Sequence, residues 1–295
     1  MKRTITALGV NAVTSSKADA RIGLSFPPCG RRLRTTCNFM DTTTQKNEQA
    51  FDARANDWQA AMNTNFGHRY LEKPAMTGLL PETLVSKDVL CIGVGSGDEL
   101  EEILRRNPNK VVGIDISTKL LEIAKSRFPQ VEFLQMDMTQ LTFGDHSFDF
   151  VYSSLTFHYA KDWDVLLAEV GRVLKNDSQL LFSTHHPIYW VGKASTGNSF
   201  TNSRGITLSE HTAVLPGEVE VTYYNHSNAG SIVEALAHAG FQVKTAGAPS
   251  VADASLEGFG ANDVAAYEKL KAKNEKTPLF YVVSAVKNSE QWHGV

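Results

Sequence analysis

Three groups of residues in this chain have types and spacings that could do chemistry. The first is the run Val89-Leu90-Cys91-Ile92 followed by Gly93-x-Gly95-x-Gly97. Glycines in a turn let a ligand lie against the backbone, because no Cβ stands in the way. A dinucleotide turn reads G-x-G-x-x-G and a triphosphate cradle reads G-x-x-x-x-G-K-[ST]. Here the third glycine, Gly97, comes one place early and no such lysine follows. Asp98, Glu99, Glu101 and Glu102 come next. They suit a helix N-terminus but are poor company for a pyrophosphate seated there. The pattern asks for a ligand without phosphate that carries some positive charge. The second group is Asp115, 18 residues beyond Gly97, close to the ~20 expected of an acid that binds a ribose. A carboxylate accepts both ribose hydroxyl protons. The competing role, capping the next helix, is already filled by Ser117. The third group is His158, His185, His186 and His226. Histidine is the side chain poised to take a proton near neutral pH. Adjacent His185 and His186 point in different directions in an extended chain. No second pair at ligand spacing supports a metal site, so no metal is expected.

The elements that must position these residues alternate. Val89–Ile92 reads as a strand buried on both faces, and from Glu99 the spacing of Leu100, Ile103 and Leu104 is helical. Strands follow at Lys110–Ile116, Val131–Met138, Ser147–Ser154 and Gln179–Thr184, with helices at Thr118–Arg127 and Trp163–Leu174. A turn is expected at Lys175–Ser178, a helix at Ser227–Ala239, and strands at Phe241–Lys244 and Leu279–Val286. Such alternation predicts an α/β, Rossmann-like, doubly wound sheet whose ligands sit at the carboxyl ends of the strands. The four histidines fall at loops converging on that edge. Upstream, Phe51, Ala55, Trp58 and Met62 share one helical face, and Pro74 suits the start of a further helix. Residues 191–222 are poor in apolar side chains, which predicts a lid insertion with a short hairpin at Val219–Tyr224. Residues 250–276 read as a variable link.

The chain has 295 residues, 42% hydrophobic and 21% charged, with a formal net charge of -3. This is ordinary globular composition for one large domain with insertions. Residues 1–39 carry seven basic residues and one acid, so they sum to +6 and residues 40–295 to -9. The first stretch is expected to be a disordered extension, with a targeting peptide as the alternative; the domain proper is 40–295. The acidic domain argues against a nucleic-acid partner, which needs a basic surface, and no apolar run is long enough for a membrane span. Cys29, Cys37 and Cys91 form no disulfide framework, which suits a reducing, cytoplasmic location, or an organelle if 1–39 is a transit peptide. The sequence sets no oligomeric state.

Gly93-x-Gly95-x-Gly97 after a buried strand resembles motif I of the class I S-adenosylmethionine-dependent methyltransferases, and the downstream spacing resembles their type-11 group over roughly Phe51 to Lys287. S-adenosylmethionine has an adenosine, a sulfonium and an ammonium, and no phosphate. The resemblance implies a seven-stranded sheet with an N-terminal helical cover, its last strand antiparallel. It implies cofactor contacts from Gly93, Gly95, Gly97, Asp115 and Ile116. Asp137 and Met138 would meet the adenine, Ser153 would contact the cofactor from the end of the fourth strand, and Tyr70 would approach the methionine end. His158 and His186 each follow a central strand in the family pattern and are the expected catalytic residues. The family usually has an acid where this chain has Cys91, and Pro-Gly-Gly where it has Lys175–Ser178. The implied activity is methyl transfer to a small-molecule substrate. An RNA methyltransferase and a non-catalytic S-adenosylmethionine-binding module are the alternatives.

Overall fold

Alternation along one short strand organises the interior. In β1 (Asp88–Ile92), Val89 and Cys91 join one apolar cluster with Met76, Leu100 and Ile103, while Leu90 and Ile92 join another with Leu166, Leu167 and Val170. Successive side chains of a strand face opposite sides, so a continuous apolar run means a sheet covered on both faces. The computed structural model describes residues 41–190, 198–215, 219–250 and 261–288. The extension expected at 1–39, with Cys29 and Cys37, lies outside the described residues, and Met62 lies outside the described side chains.

The chain opens with α1 (Thr42–Ala53) and α2 (Ala55–Thr64), then a π-helical turn at His68–Glu72 that runs into α3 (Lys73–Leu79). After β1 come α4 (Leu100–Leu104), β2 (Lys110–Asp115), α5 (Thr118–Arg127), β3 (Glu132–Gln135) and β4 (Phe148–Ser153). Next are α6 (Trp163–Val173), β5 (Leu174–His185), β6 (Ser199–Thr201), β7 (Thr207–Leu215) and β8 (Val219–His226). The chain continues through α7 (Ala229–His238), β9 (Phe241–Gly247), α8 (Ala261–Lys276) and β10 (Phe280–Lys287). The seven-stranded sheet has the order β3-β2-β1-β4-β5-β10-β9. β1 pairs in parallel with β2 on one side and β4 on the other. The strand order therefore reverses between them, which makes a crevice at their carboxyl ends. β10 is antiparallel to both β5 and β9. Among the described residues no helix is long and apolar enough to cross a membrane.

Three expectations change. The turn expected at Lys175–Ser178 lies inside β5, where the pairing jumps from Phe148↔Leu174 to Phe150↔Gln179 and Asp177 has φ 57°; an irregularity absorbs the polar residues without ending the strand. The link expected at 250–276 contains α8, whose Tyr267, Leu270 and Asn274 are buried at helical spacing on an otherwise polar surface. The insertion expected to be a lid with a short hairpin forms a three-stranded antiparallel sheet, β6-β7-β8, and this sheet extends to His226. Its residues 191–197 and 216–218 lie outside the described residues.

Candidate functional site

The turn after β1 holds Gly93, Gly95 and Gly97 at φ of 66°, 53° and 83°. A Cβ on Gly93 would sit 2.2 Å from the Thr156 side chain, so this position is closed to any L side chain on both conformation and space. Asp115, at the end of β2, accepts the Gly95 N–H at Oδ2 (2.9 Å) and the Ser117 N–H at Oδ1 (2.9 Å). It thus pins the glycine turn to the start of α5. Burial pushes its pKa up, against the lowering effect of the backbone N–H groups of Ser117, Gly95 and Ile116. On the far side, Arg127 donates to the Ser96 carbonyl (2.6 Å) and to Asp98 Oδ1 (2.8 Å).

These residues wall a cavity of about 330 Å³. Gly93, Gly95, Asp115, Ile116, Asp137 and Met138 all line it. Asp137 Oδ1 is ordered by the Thr139 N–H (2.8 Å) and hydroxyl (2.7 Å). Gly97 serves the turn: a Cβ there would meet the Phe128 ring at 3.0 Å. Ser153 is fully buried and donates to the Ile92 carbonyl at 3.0 Å, tying β4 to β1, while Ser154 and Leu155 take the places on the cavity wall. Leu155 has φ 47°, an unusual conformation for a branched side chain and one that clusters at functional sites.

A buried ionic cluster stands beside the glycine turn. The π-helical turn, a feature frequent at functional sites, brings His68 rather than Tyr70 to the cavity wall. Tyr70 packs its ring on Phe66 (5.3 Å) and Tyr267 (5.7 Å). His68 Nδ1 is 2.9 Å from Glu72 Oε2 and its Nε2 is 3.1 Å from Glu99 Oε1. Glu72 Oε1 also accepts the hydroxyls of Ser154 (2.8 Å) and Ser183 (2.5 Å). Burial alone would lower the His68 pKa; hydrogen bonding to Glu72 and Glu99 outweighs it and raises it to about 10. The ring is an imidazolium at neutral pH. His68, Glu72 and Glu99 also offer one ligand atom each within 4.8 Å of one another, but here the two carboxylates are bridged through opposite nitrogens of one ring.

Another part of the wall is built of stacked rings. His158, in the 3-10 turn after β4, is buried and stacks on His185 with centroids 4.0 Å apart. Its Nδ1 has no hydrogen-bond partner among the described residues. Burial, and then the neighbouring His185, hold its pKa well below the usual histidine value. Both rings line the cavity. His186 does not join them: its Nδ1 accepts the Ile188 N–H (3.2 Å) and its ring lies against Tyr281. His226 packs on Trp163 (4.3 Å) and meets Ser231 Oγ at 3.0 Å, within the core under the three-stranded sheet. Behind the His158 and His185 pair, Tyr223 of β8 has its ring centroid 5.6 Å from His185 and stacks on His211.

The N-terminal helices add to the cavity wall. Asp41, Thr44, Asn47, Phe51 and Trp58 line it from the N-terminal helices. Asn47 completes the edge of β8 by giving its amide to the Thr222 carbonyl and accepting the Thr222 N–H, both at 2.8 Å. Asp52 caps α5 through the Ser117 hydroxyl (2.6 Å) and the Lys119 N–H (3.1 Å). Sequence reasoning missed His68, Glu99 and the Asn47 bridge, and it placed His185 at the carboxyl edge but chose His186 over it. The spacing of His68 and Glu72, four apart, was the one local signal available for the cluster.

A family profile described as a methyltransferase domain matches residues 90–182. The chain is similar to the demethylmenaquinone methyltransferase of Thermotoga maritima, 36% identical over 32% of this chain and 41% of the relative. It is similar to the malonyl-[acyl-carrier protein] O-methyltransferase of Hamiltonella defensa, 29% identical over 46% of this chain and 50% of the relative. The chain thus spans about half or less of the length of these two curated relatives. A crystal structure of an S-adenosylmethionine-dependent methyltransferase from Mesorhizobium loti superposes with a TM-score of 0.56 and 25% identity, covering 72% of this chain and 96% of that one. The strand order, the glycine turn anchored by Asp115 and these likenesses support a class I S-adenosylmethionine-dependent methyltransferase, with the matched methyltransferase domain at residues 90–182.

Proposed function

We propose that the cavity aligns a small-molecule acceptor against S-adenosylmethionine, and that His158 takes the acceptor's proton. The residues present fit the cofactor. The glycine turn leaves backbone uncovered at Gly95, where an added Cβ would meet nothing within 4 Å. Asp115 and Asp137 bring carboxylates to the wall beside the apolar Ile116, Met136 and Met138, a combination suited to ribose hydroxyls and a flat purine. When bound, the cofactor supplies an activated methyl group on a sulfonium. The protein's own part is alignment and exclusion of water, toward which Phe51 and Trp58 bring apolar surface to the cavity wall. His158 is the group placed to hold a proton: it is buried, neutral and faces the cavity with a free Nδ1. His185 and Tyr223 fix its ring by packing.

The observation that carries this reading is the unpartnered Nδ1 of His158. A buried donor or acceptor left unpaired costs stability, so retaining it is understandable where a ligand completes it. His186, the other residue expected to be catalytic, is not part of this proposal because its ring faces Tyr281. The purified chain, incubated with a metabolite extract and isotope-labelled S-adenosylmethionine, is expected to label a compound of low molecular mass. Label that accumulates only in macromolecules would overturn the small-molecule reading.

A further inference from the structure

Glu99 is the carboxylate of the ionic cluster that is not saturated by the protein. Glu72 is fully buried, with one oxygen accepting two serine hydroxyls and the other paired with the His68 ring at 2.9 Å. Both nitrogens of His68 are engaged, one by each carboxylate. Glu99 has one oxygen on His68; the other has only the Tyr152 hydroxyl, at a long 3.4 Å. The neighbouring acid, Asp98, is neutralised by Arg127 and hydrogen-bonded to the Ser96 hydroxyl, and Lys73 of α3 gives its Nζ to the Asp98 carbonyl. Two carboxylates around one imidazolium leave the cluster one negative charge in excess. Burying such a charge is costly unless it is paired, and of the two carboxylates Glu99 is the one on the cavity wall, next to the glycine turn.

We propose that Glu99 is the subsite for a positively charged amino group at the glycine-turn end of the cavity, with His68 and Glu72 as its positioning residues. The inference rests on the S-adenosylmethionine reading and names the group that receives the ammonium of its amino-acid end. Glu99 accepts hydrogen bonds from that ammonium at the oxygen Tyr152 leaves poorly satisfied, which cancels the excess charge of the cluster. His68 orients the Glu99 carboxylate from behind, and Glu72, locked by Ser154 and Ser183, fixes the His68 ring.

Titration calorimetry on the full chain separates this from simpler roles. The probes are S-adenosylhomocysteine, its deamino analogue, and 5′-methylthioadenosine, which lacks the whole amino-acid end. Wild type is expected to lose roughly 10- to 150-fold in affinity when the ammonium is removed, the range for one charge-assisted hydrogen bond. Glu99→Gln is expected to lose a similar factor for S-adenosylhomocysteine and to bind both other ligands as wild type does. The proposal is overturned if Glu99→Gln weakens all three ligands equally, or if it leaves S-adenosylhomocysteine within threefold. If Glu99→Gln melts far below wild type, Glu99→Asp, which keeps the charge, replaces it and should fall between the two. If none of the probes binds wild type, the cofactor reading fails and this inference with it. Stoichiometric micromolar binding of Mn²⁺ or Zn²⁺ alone, lost in Glu99→Gln, would assign the cluster to a metal and contradict the proposal.

Discussion

Two buried histidines line one cavity from different parts of its wall, and they differ in charge. His68 is held as an imidazolium between Glu72 and Glu99, while His158 is held neutral against His185. Burial acts on both in the same direction, against the charged form. The neighbours decide the outcome: two carboxylates within about 3 Å in one case, a second imidazole in the other. One histidine is therefore held charged and the other neutral, and in the proposed function the neutral one receives the acceptor's proton. A general base must be unprotonated at working pH and works best with a pKa near that pH; the His158 ring meets the first condition and the His68 ring does not.

Glu72→Ala should break the comparison most severely. It leaves His68 with one partner and the Ser154 and Ser183 hydroxyls without theirs, and truncating one side of a buried pair costs about 3–5 kcal/mol. A fall in melting temperature of roughly 10 °C is expected; a change within experimental error would mean that the cluster is not a structural anchor. At the other histidine, His158→Gln should lower turnover by about 10²–10⁴-fold, with S-adenosylhomocysteine affinity and melting temperature close to wild type. His186→Gln should stay within a few-fold in steady-state kinetics on the same acceptor, and equal losses in the two variants would remove the distinction drawn between them. Asp115→Ala should weaken S-adenosylhomocysteine by roughly 1.5–3 kcal/mol, read by calorimetry. Part of that loss should reflect the unpinned turn, because the same carboxylate holds the Gly95 and Ser117 N–H groups.

Much of this was legible along the chain, and what was missed shares a cause. The glycine turn, Asp115, Asp137 and the order of strands are local in sequence: each is a short motif at the end of a buried strand. The ionic cluster is not. It needs the π-helical turn to swing His68 inward and the residues after β4 and on β5 to supply Ser154 and Ser183. The error between His185 and His186 is one of parity. Side chains alternate along β5, so His185 shares a face with Ser183, whose hydroxyl meets Glu72, and His186 turns to Tyr281. Ser153 and Ser154 exchange roles at the end of β4 for the same reason. α8 was hidden because its helical period rests on few apolar residues, Tyr267 and Leu270 among them.

The two histidines should also give opposite pH dependence, with a smaller effect on stability. For His68, whose folded pKa is raised from 6.5 to about 10, the stabilising contribution is complete below 6.5 and is lost as pH rises toward 10. For His226, pushed down to about 3 by burial, and for His158, lowered in the same direction, the unfolded state binds the proton more readily. Their contribution is complete above 6.5 and is lost as pH falls below it. Denaturant melts across pH should show His68→Gln flattening the alkaline limb and His158→Gln flattening the acid limb. The reverse assignment would contradict the charge states.

Nitrogen-15 NMR of the histidine rings, with His68→Gln and His158→Gln used for assignment, tests the account most directly. At pH 7.5 the His68 ring should show two protonated nitrogens and stay so until well above pH 8. The His158 ring should be a single neutral tautomer that remains unprotonated down to pH 6. A His158 ring that titrates near 6.5, or a His68 ring that is neutral at pH 7.5, would contradict the division into one histidine held charged and one held neutral.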